Sequence, residues 1–233
     1  MAKLSINVDM AAALRNARRG SAPDPVEIAA ELMKLGVHGI TAHPFLDQRH
    51  VTFEDVVRLS GTVKGGLNLE GSPSDLFIRL VRDVRPALVT LVPDSDGGWD
   101  TKHNLGFLSE ICEIFNTDGT ASSVFVAPDI EMIRYAAETG CKAVTLDCAE
   151  YASGFNSDRE KAVEKYYFAA REAIENGMAV NAGHNLNSSN IHFLLEAVPG
   201  IDTVTVGHGF FCDAVRNGME NAALTYLNEL KIF

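Results

Sequence analysis

The feature that most limits what this chain can fold into is a regular alternation. Eight short runs rich in β-formers are separated by longer segments of helical period. The strand candidates are 4–8, 39–42, 67–69, 87–92, 123–126, 143–146, 179–181 and 203–206. Segment 25–35 has its apolar residues at Val26, Ile28, Ala29, Leu32 and Leu35, one face of a helix. Segment 129–139 does the same with Ile130, Ile133, Ala136 and Ala137. Helical patterns also cover 158–176 and 187–198, and a single closing helix is expected over 213–230.

Local chemistry agrees with these boundaries. Gly36, Gly140 and Gly177 follow helices, where a left-handed cap is wanted. Asp24-Pro25, Ser72-Pro73 and Pro128-Asp129 supply helix starts. Eight strands, each followed by a helix, in 233 residues count out a (β/α)8 TIM barrel with extra short helices, spanning 1–233 as a single domain. An open doubly wound sheet is the alternative, because counting strands does not show closure. The strand ends favour the barrel. They carry Asp9, His43, Glu70, Asp94, Asp129, Asp147, His184 and His208, and a barrel gathers such ends on its catalytic face.

Composition removes other classes. With 31 Asp and Glu against 20 Lys and Arg, the net charge of −11 disfavours a nucleic-acid partner. No apolar run approaches the roughly 20 residues of a membrane span. The start MAKLSINVDM lacks a basic-then-apolar leader. Cys112, Cys141, Cys148 and Cys212 form no CxxC pair, so neither a disulfide frame nor zinc is indicated. The expectation is a soluble, cytoplasmic protein.

His43 ends the run Gly39-Ile40-Thr41-Ala42 and precedes Pro44, so it cannot lie within a helix. A lone histidine there would often just cap a strand. His184 and His208 take equivalent places after the seventh and eighth strands, however, and with Glu70 they make a plausible acid–base cluster. The same residues could instead hold zinc or iron in a metal-dependent hydrolase or isomerase, although no HxH or HxxxH pair is present. The turns Ala182-Gly183-His184-Asn185 and Val206-Gly207-His208-Gly209 open onto helix starts, the usual phosphate cradle of such barrels. Glycine there would also serve a merely tight turn. Arg15, Arg18 and Arg19 after the first strand suit either a phosphate contact or a solvated turn.

Taken in order, Asn7-Val8-Asp9, Leu14-Arg15-Asn16-Ala17-Arg18, Gly39-Ile40-Thr41-Ala42-His43, Asp47-Gln48-Arg49-His50, Asn68-Leu69-Glu70-Gly71, Val180-Asn181-Ala182-Gly183-His184 and Val206-Gly207-His208 resemble the pyridoxine 5'-phosphate synthase family over essentially the whole chain. The resemblance implies a (β/α)8 barrel assembled as a homo-oligomer, an octamer, with no organic cofactor and no metal. It implies condensation of 3-amino-2-oxopropyl phosphate with 1-deoxy-D-xylulose 5-phosphate, losing phosphate and water as the pyridine ring closes. His43 and Glu70 would accept protons and His184 would donate one. Asn7, Arg18, Asn185, Gly207 and His208 would bind the amino-ketone phosphate, and Asp9 and His50 the sugar phosphate.

Three positions depart from that pattern. Met10 stands where the family has His, Phe45 where it has Arg, and Thr145 where it has a carboxylate. The loop 93–100 is shortened, and the Thr expected near it has no clear counterpart. Either Arg49 takes over the phosphate, or the chain is a paralogue that keeps the amino-ketone half and accepts a less polar carbonyl partner. A non-catalytic barrel that senses a phosphorylated metabolite is a third reading. Retention of the proton-transfer trio weighs against it.

Overall fold

The computed structural model describes residues 1–93, 98–100 and 104–231. The order is β1 (Lys3–Asn7), α1 (Asp9–Ala17), α2 (Pro25–Lys34), β2 (Gly39–Ala42), α3 (Phe53–Thr62), β3 (Leu67–Gly71), α4 (Asp75–Val84), β4 (Leu88–Leu91) and α5 (Leu105–Thr117). It continues with β5 (Ala121–Val126), α6 (Ile130–Glu138), β6 (Ala143–Asp147), α7 (Ala149–Glu175), β7 (Ala179–Gly183), α8 (Ile191–Ala197), β8 (Ile201–Val206), α9 (His208–Asn217) and α10 (Met219–Leu230). The eight strands pair in sequence order, all parallel, and β8 closes on β1. The open-sheet alternative is thereby set aside.

Strand alternation sorts each strand into two rows. In β1, Leu4 and Ile6 face outward and are fully buried beneath the helices. Inward rows of most barrels are packed with branched apolar side chains. Here the middle of the barrel is a layer of hydroxyls and amides. Ser5 Oγ lies 2.7 Å from Thr41 Oγ1, Thr90 Oγ1 donates to Asn68 Oδ1 at 3.0 Å, and Ser123 Oγ lies 2.9 Å from Thr145 Oγ1. These groups are buried but partnered, which removes most of the cost of dehydrating them. The same inward rows, continued upward, bring Asn7, His43, Glu70, Phe125 and Asp147 to the mouth.

Helix starts and stops follow the residues that predict them, with some corrections. Asp24 caps α2 through Val26 N–H, with Pro25 as the first helical residue. Gly36, Gly140 and Gly177 all take positive φ. The cap of α4 is Ser74, not Ser72. Asp129 caps α6, accepting from the N–H groups of Glu131 and Met132, so its carboxylate is engaged by the helix start. The helix expected from 158 begins earlier, at Ala149, and is interrupted by extended backbone at Asp158. The single helix expected over 213–230 is two. Gly218, at φ 84° and ψ 152°, ends α9 and starts α10. The apolar period runs across that break, which is why the pattern concealed it. Asp94 and residues 95–97 of the loop at 93–100 lie outside the described residues. Among the described residues no helix is long and apolar enough to cross a membrane.

Candidate active site

Three adjoining strands build one wall of the mouth. At the end of β1, Asn7 Oδ1 accepts the Asp9 N–H at 2.8 Å, and Asn7 Nδ2 donates to Asp9 Oδ2 at 3.2 Å. The other Asp9 oxygen accepts the backbone N–H of His43 at 3.0 Å. Asp9 is therefore buried, with both oxygens engaged, and it fixes the backbone on which His43 is carried. Burial raises its carboxyl to about 6, although the His43 and Asn7 bonds pull it down. Glu70, at the top of β3, is raised further, to about 8. Desolvation is the main cause, and the Asp9 charge adds to it against the opposing pull of His184 and Asn7. In the unliganded site at neutral pH Glu70 is mostly a neutral acid.

His43 is pushed the other way, down to about 4, by burial and by the positive charges of Arg49 and His50. It is a neutral imidazole throughout the physiological range. Its ring lies flat on Phe45, with centroids 3.9 Å apart, and the Arg49 guanidinium covers Phe45 at 3.6 Å. His50 meets the edge of the same Phe45 ring, and its Nδ1 is buried without a hydrogen-bond partner.

Across the mouth, His184 and Asn185 follow β7 with φ of 75° and 58°. Two consecutive non-glycine residues in the left-handed region are costly, and such strain persists only where the surroundings enforce it. His184 Nδ1 lies 2.8 Å from Asp147 Oδ1, and its side chain keeps 51% of its surface exposed. That bond, chiefly, raises the imidazole above its ordinary value despite partial burial. The site thus holds one imidazole pushed down, a carboxyl pushed up and a second imidazole raised above its ordinary value, all facing one opening. Environments that separate protonation states in this way mark acid–base chemistry.

The phosphate cradle expected after β7 and β8 has a definite form. Gly207 abuts Asn7, whose Cβ would stand 3.3 Å from any added methyl group. Gly209 is tighter: a Cβ there would fall 2.5 Å from the Leu186 carbonyl oxygen and 2.8 Å from Asn187 Cβ. Both β-end loops therefore close on each other only because 209 is glycine. Gly209→Ala is expected to cost about 1–3 kcal/mol, through forced displacement of the two loops. A fall in the urea midpoint together with weaker phosphate binding would show it. His208 begins α9, exposed, with Nε2 3.4 Å from the Cys212 sulfur.

The three arginines separate. Arg15 makes a bidentate pair with Asp55, both bonds at 2.8 Å, whereas Arg18 and Arg19 are exposed at the end of α1. Asn16 Nδ2 reaches the carbonyls of Arg49 and His50, tying α1 to the loop after β2. Among the described residues no group of three His, Cys, Asp or Glu side chains is placed to hold a metal ion.

The family model described as pyridoxal phosphate biosynthesis protein PdxJ matches residues 4–231. The chain belongs to this family. It is 42% identical over 237 residues to the pyridoxine 5'-phosphate synthase of Bacteroides fragilis, with 99% of this chain and all of that protein covered. The synthase of Cytophaga hutchinsonii is 40% identical with the same coverage. Solved structures share the fold alone. The 3-keto-L-gulonate-6-phosphate decarboxylase of Vibrio cholerae superposes with a TM-score of 0.69 at 9% identity, covering 100% of this chain and 98% of that one. Phosphoribosylanthranilate isomerase from Thermotoga maritima gives 0.64 at 12% identity with full coverage of both.

The three positions read from the resemblance as departures, Thr145, Met10 and Phe45, take definite places in the fold. Thr145 sits in the hydroxyl layer, bonded to Ser123 and buried. The carboxylate of β6 stands two residues higher on the same inward row, at Asp147. Met10 lies in the first turn of α1. Phe45 is sandwiched between His43 and Arg49, an aromatic ring with a cation on its outer face. Asp147, read only as one of the strand ends, is bonded to His184, and Phe125, which the sequence did not single out, puts its ring 6.3 Å from His184. For Phe125 the signal is inward placement near the end of β5, on the row of Ser123.

Proposed function

We propose that this member of the pyridoxine 5'-phosphate synthase family closes a pyridine ring from 3-amino-2-oxopropyl phosphate and 1-deoxy-D-xylulose 5-phosphate, working as one barrel domain spanning 1–233. His43 and Glu70 act as proton acceptors and His184 as the donor. The observation that carries this is the divergence at one mouth: His43 held down to about 4, Glu70 up to about 8, and His184 raised. Imine formation, enolisation and elimination each need a base and an acid in reach of the same small molecule. Glu70 must lose its proton before it can accept one. An ammonium group brought beside it does this, because an adjacent cation lowers a carboxyl pKa. The amino-ketone substrate then activates its own base.

Asn7, Arg18, Asn185, Gly207 and His208 hold the amino-ketone phosphate, with the first turn of α9 turned toward the anion. Asp9 supports the second substrate indirectly, through the His43 backbone, and His50 borders its half of the site. Arg49, resting on Phe45, supplies the cation that the family places at position 45. Arg49→Ala is expected to raise KM for the sugar phosphate by roughly tenfold or more, the scale of one lost charge-assisted bond. KM for the amino ketone should hardly move. Equal changes in both would remove Arg49 from that half. We extend the reading to a homo-octamer in the cytoplasm with no resident metal or organic cofactor, on the family resemblance.

A second reading is favoured by Phe45, whose ring makes this half more apolar. It keeps the amino-ketone site and changes the carbonyl partner to a less polar one. Calorimetric binding of 3-amino-2-oxopropyl phosphate to wild type and Arg18→Ala tests the half common to both readings. Saturable binding that weakens in the variant is expected. Binding indifferent to Arg18 would contradict the assignment.

A further inference from the structure

We propose that Asp147 is a positioning residue for His184. Its Oδ1, fixed by a second bond from the Ala149 amide at the start of α7, accepts the Nδ1 proton of His184 and leaves Nε2 as the atom that trades protons with substrate. The inference rests on the donor role proposed for His184.

Oδ1 is 2.8 Å from His184 Nδ1 and 2.9 Å from Ala149 N. The backbone of Asp147 is itself held: Tyr166 Oη donates to its carbonyl at 2.8 Å, while accepting from Tyr151 N at 3.2 Å. Tyr151 and Tyr166 are fully buried, so the carboxylate stands on a rigid base. Burial alone would raise the Asp147 carboxyl, but the His184 bond, the Ala149 amide and the Lys165 charge together hold it below its ordinary value. An ionised carboxylate has no proton to give, so the imidazole must donate from Nδ1. That fixes the tautomer when His184 is neutral and stabilises the cation when it is charged.

The barrel explains why the two meet. Asp147 pairs with Gly183 in the parallel register, and His184 is the next residue, with left-handed backbone that turns its ring back across β6. The charged groups facing His184 are Asp147 on β6 and Glu70 on β3, and Lys165 on α7 faces Asp147 while bonded to Glu150. Glu70 is mostly neutral in the unliganded site, which leaves Asp147 as the main anion acting on His184.

Asp147→Asn tests this with two readouts. In an NMR titration, with the imidazole assigned by loss of its signals in His184→Gln, the His184 midpoint should fall in Asp147→Asn and recover in Asp147→Glu. An unchanged midpoint overturns the proposal. In turnover with the two family substrates, kcat at pH 8 should drop roughly 10- to 100-fold and the alkaline limb should move to lower pH. Added to His184→Gln, the same change should cost nothing further, since a residue acting through another has no separate effect. Losses that multiply would overturn it. Should wild type turn over neither substrate, the proposed function fails, while the titration still decides the pairing.

Discussion

Glu70→Gln is expected to abolish most turnover while leaving the protein folded and more stable at high pH. The amide matches the carboxyl in shape and keeps the partners at the mouth, but it can neither take nor give a proton. Removing a general acid–base group lowers kcat by roughly 10²- to 10⁴-fold. Binding of the amino-ketone phosphate should persist, because its phosphate is assigned to Asn7, Arg18 and the Gly207-His208 turn and not to Glu70. The stability effect follows from the raised carboxyl. Between its unfolded value of 4.5 and the folded value of about 8, the native state keeps a proton that the unfolded chain has released. Stability therefore falls as pH rises through that window. Glu70→Gln removes this dependence, so its advantage over wild type should grow from pH 4.5 to pH 8 and then level off. Wild-type kcat in the variant would take Glu70 out of the mechanism. A stability difference independent of pH would show that its carboxyl is not raised.

Arg15→Ala should produce the largest stability loss of any single surface-derived arginine. Arg15 and Asp55 keep only 11% and 4% of their side-chain surface exposed. Asp55 also completes the capping box at the start of α3, accepting from the N–H and hydroxyl of the N-cap Thr52. Removing the guanidinium leaves a buried carboxylate with Arg58 3.8 Å away as its remaining cation. Breaking a buried pair from one side costs about 3–5 kcal/mol, and Arg58 places this case near the lower end. Urea unfolding should show the midpoint falling with little change in slope. Desolvation lifts Asp55, but Arg15, Thr52 and the nearby charge together bring it below its unfolded value of 3.8. The contribution of the pair is thus present above 3.8 and is lost only as pH falls through the lower folded value. The gap between variant and wild type should be steady from pH 7 to about 5 and close in stronger acid. A difference under about 1 kcal/mol would mean that the pair behaves as an exposed one.

Much of the fold was legible because a barrel strand needs only a short β-rich run with buried outward residues, and Leu4, Ile6, Ile40, Leu69 and Val89 mark those rows plainly. Closure was legible only as a count. The break at Gly218 was not, since the apolar spacing of 213–230 is the same for one helix or two, and the backbone angle that separates them leaves no trace in hydrophobic pattern. His43, Glu70 and His184 could be read from their strand ends. The pairing of Asp147 with His184 could not, because the two are 37 residues apart and meet through the register of β6 on β7. Arg49 was legible as a spare cation. Its seat on Phe45 depends on how the loop after β2 folds, with Asn16 holding that loop from below. Asp9 shows the opposite case: a residue read as touching substrate has both oxygens committed to Asn7 and His43.

The most direct test supplies purified protein with 3-amino-2-oxopropyl phosphate and 1-deoxy-D-xylulose 5-phosphate and follows pyridoxine 5'-phosphate and released phosphate together. The account predicts equal amounts of both products, dependent on both substrates and lost in Glu70→Gln. Tight binding of the amino ketone with no pyridoxine 5'-phosphate at any pH from 6 to 9 would contradict it, and would point to the changed half around Phe45 and Met10.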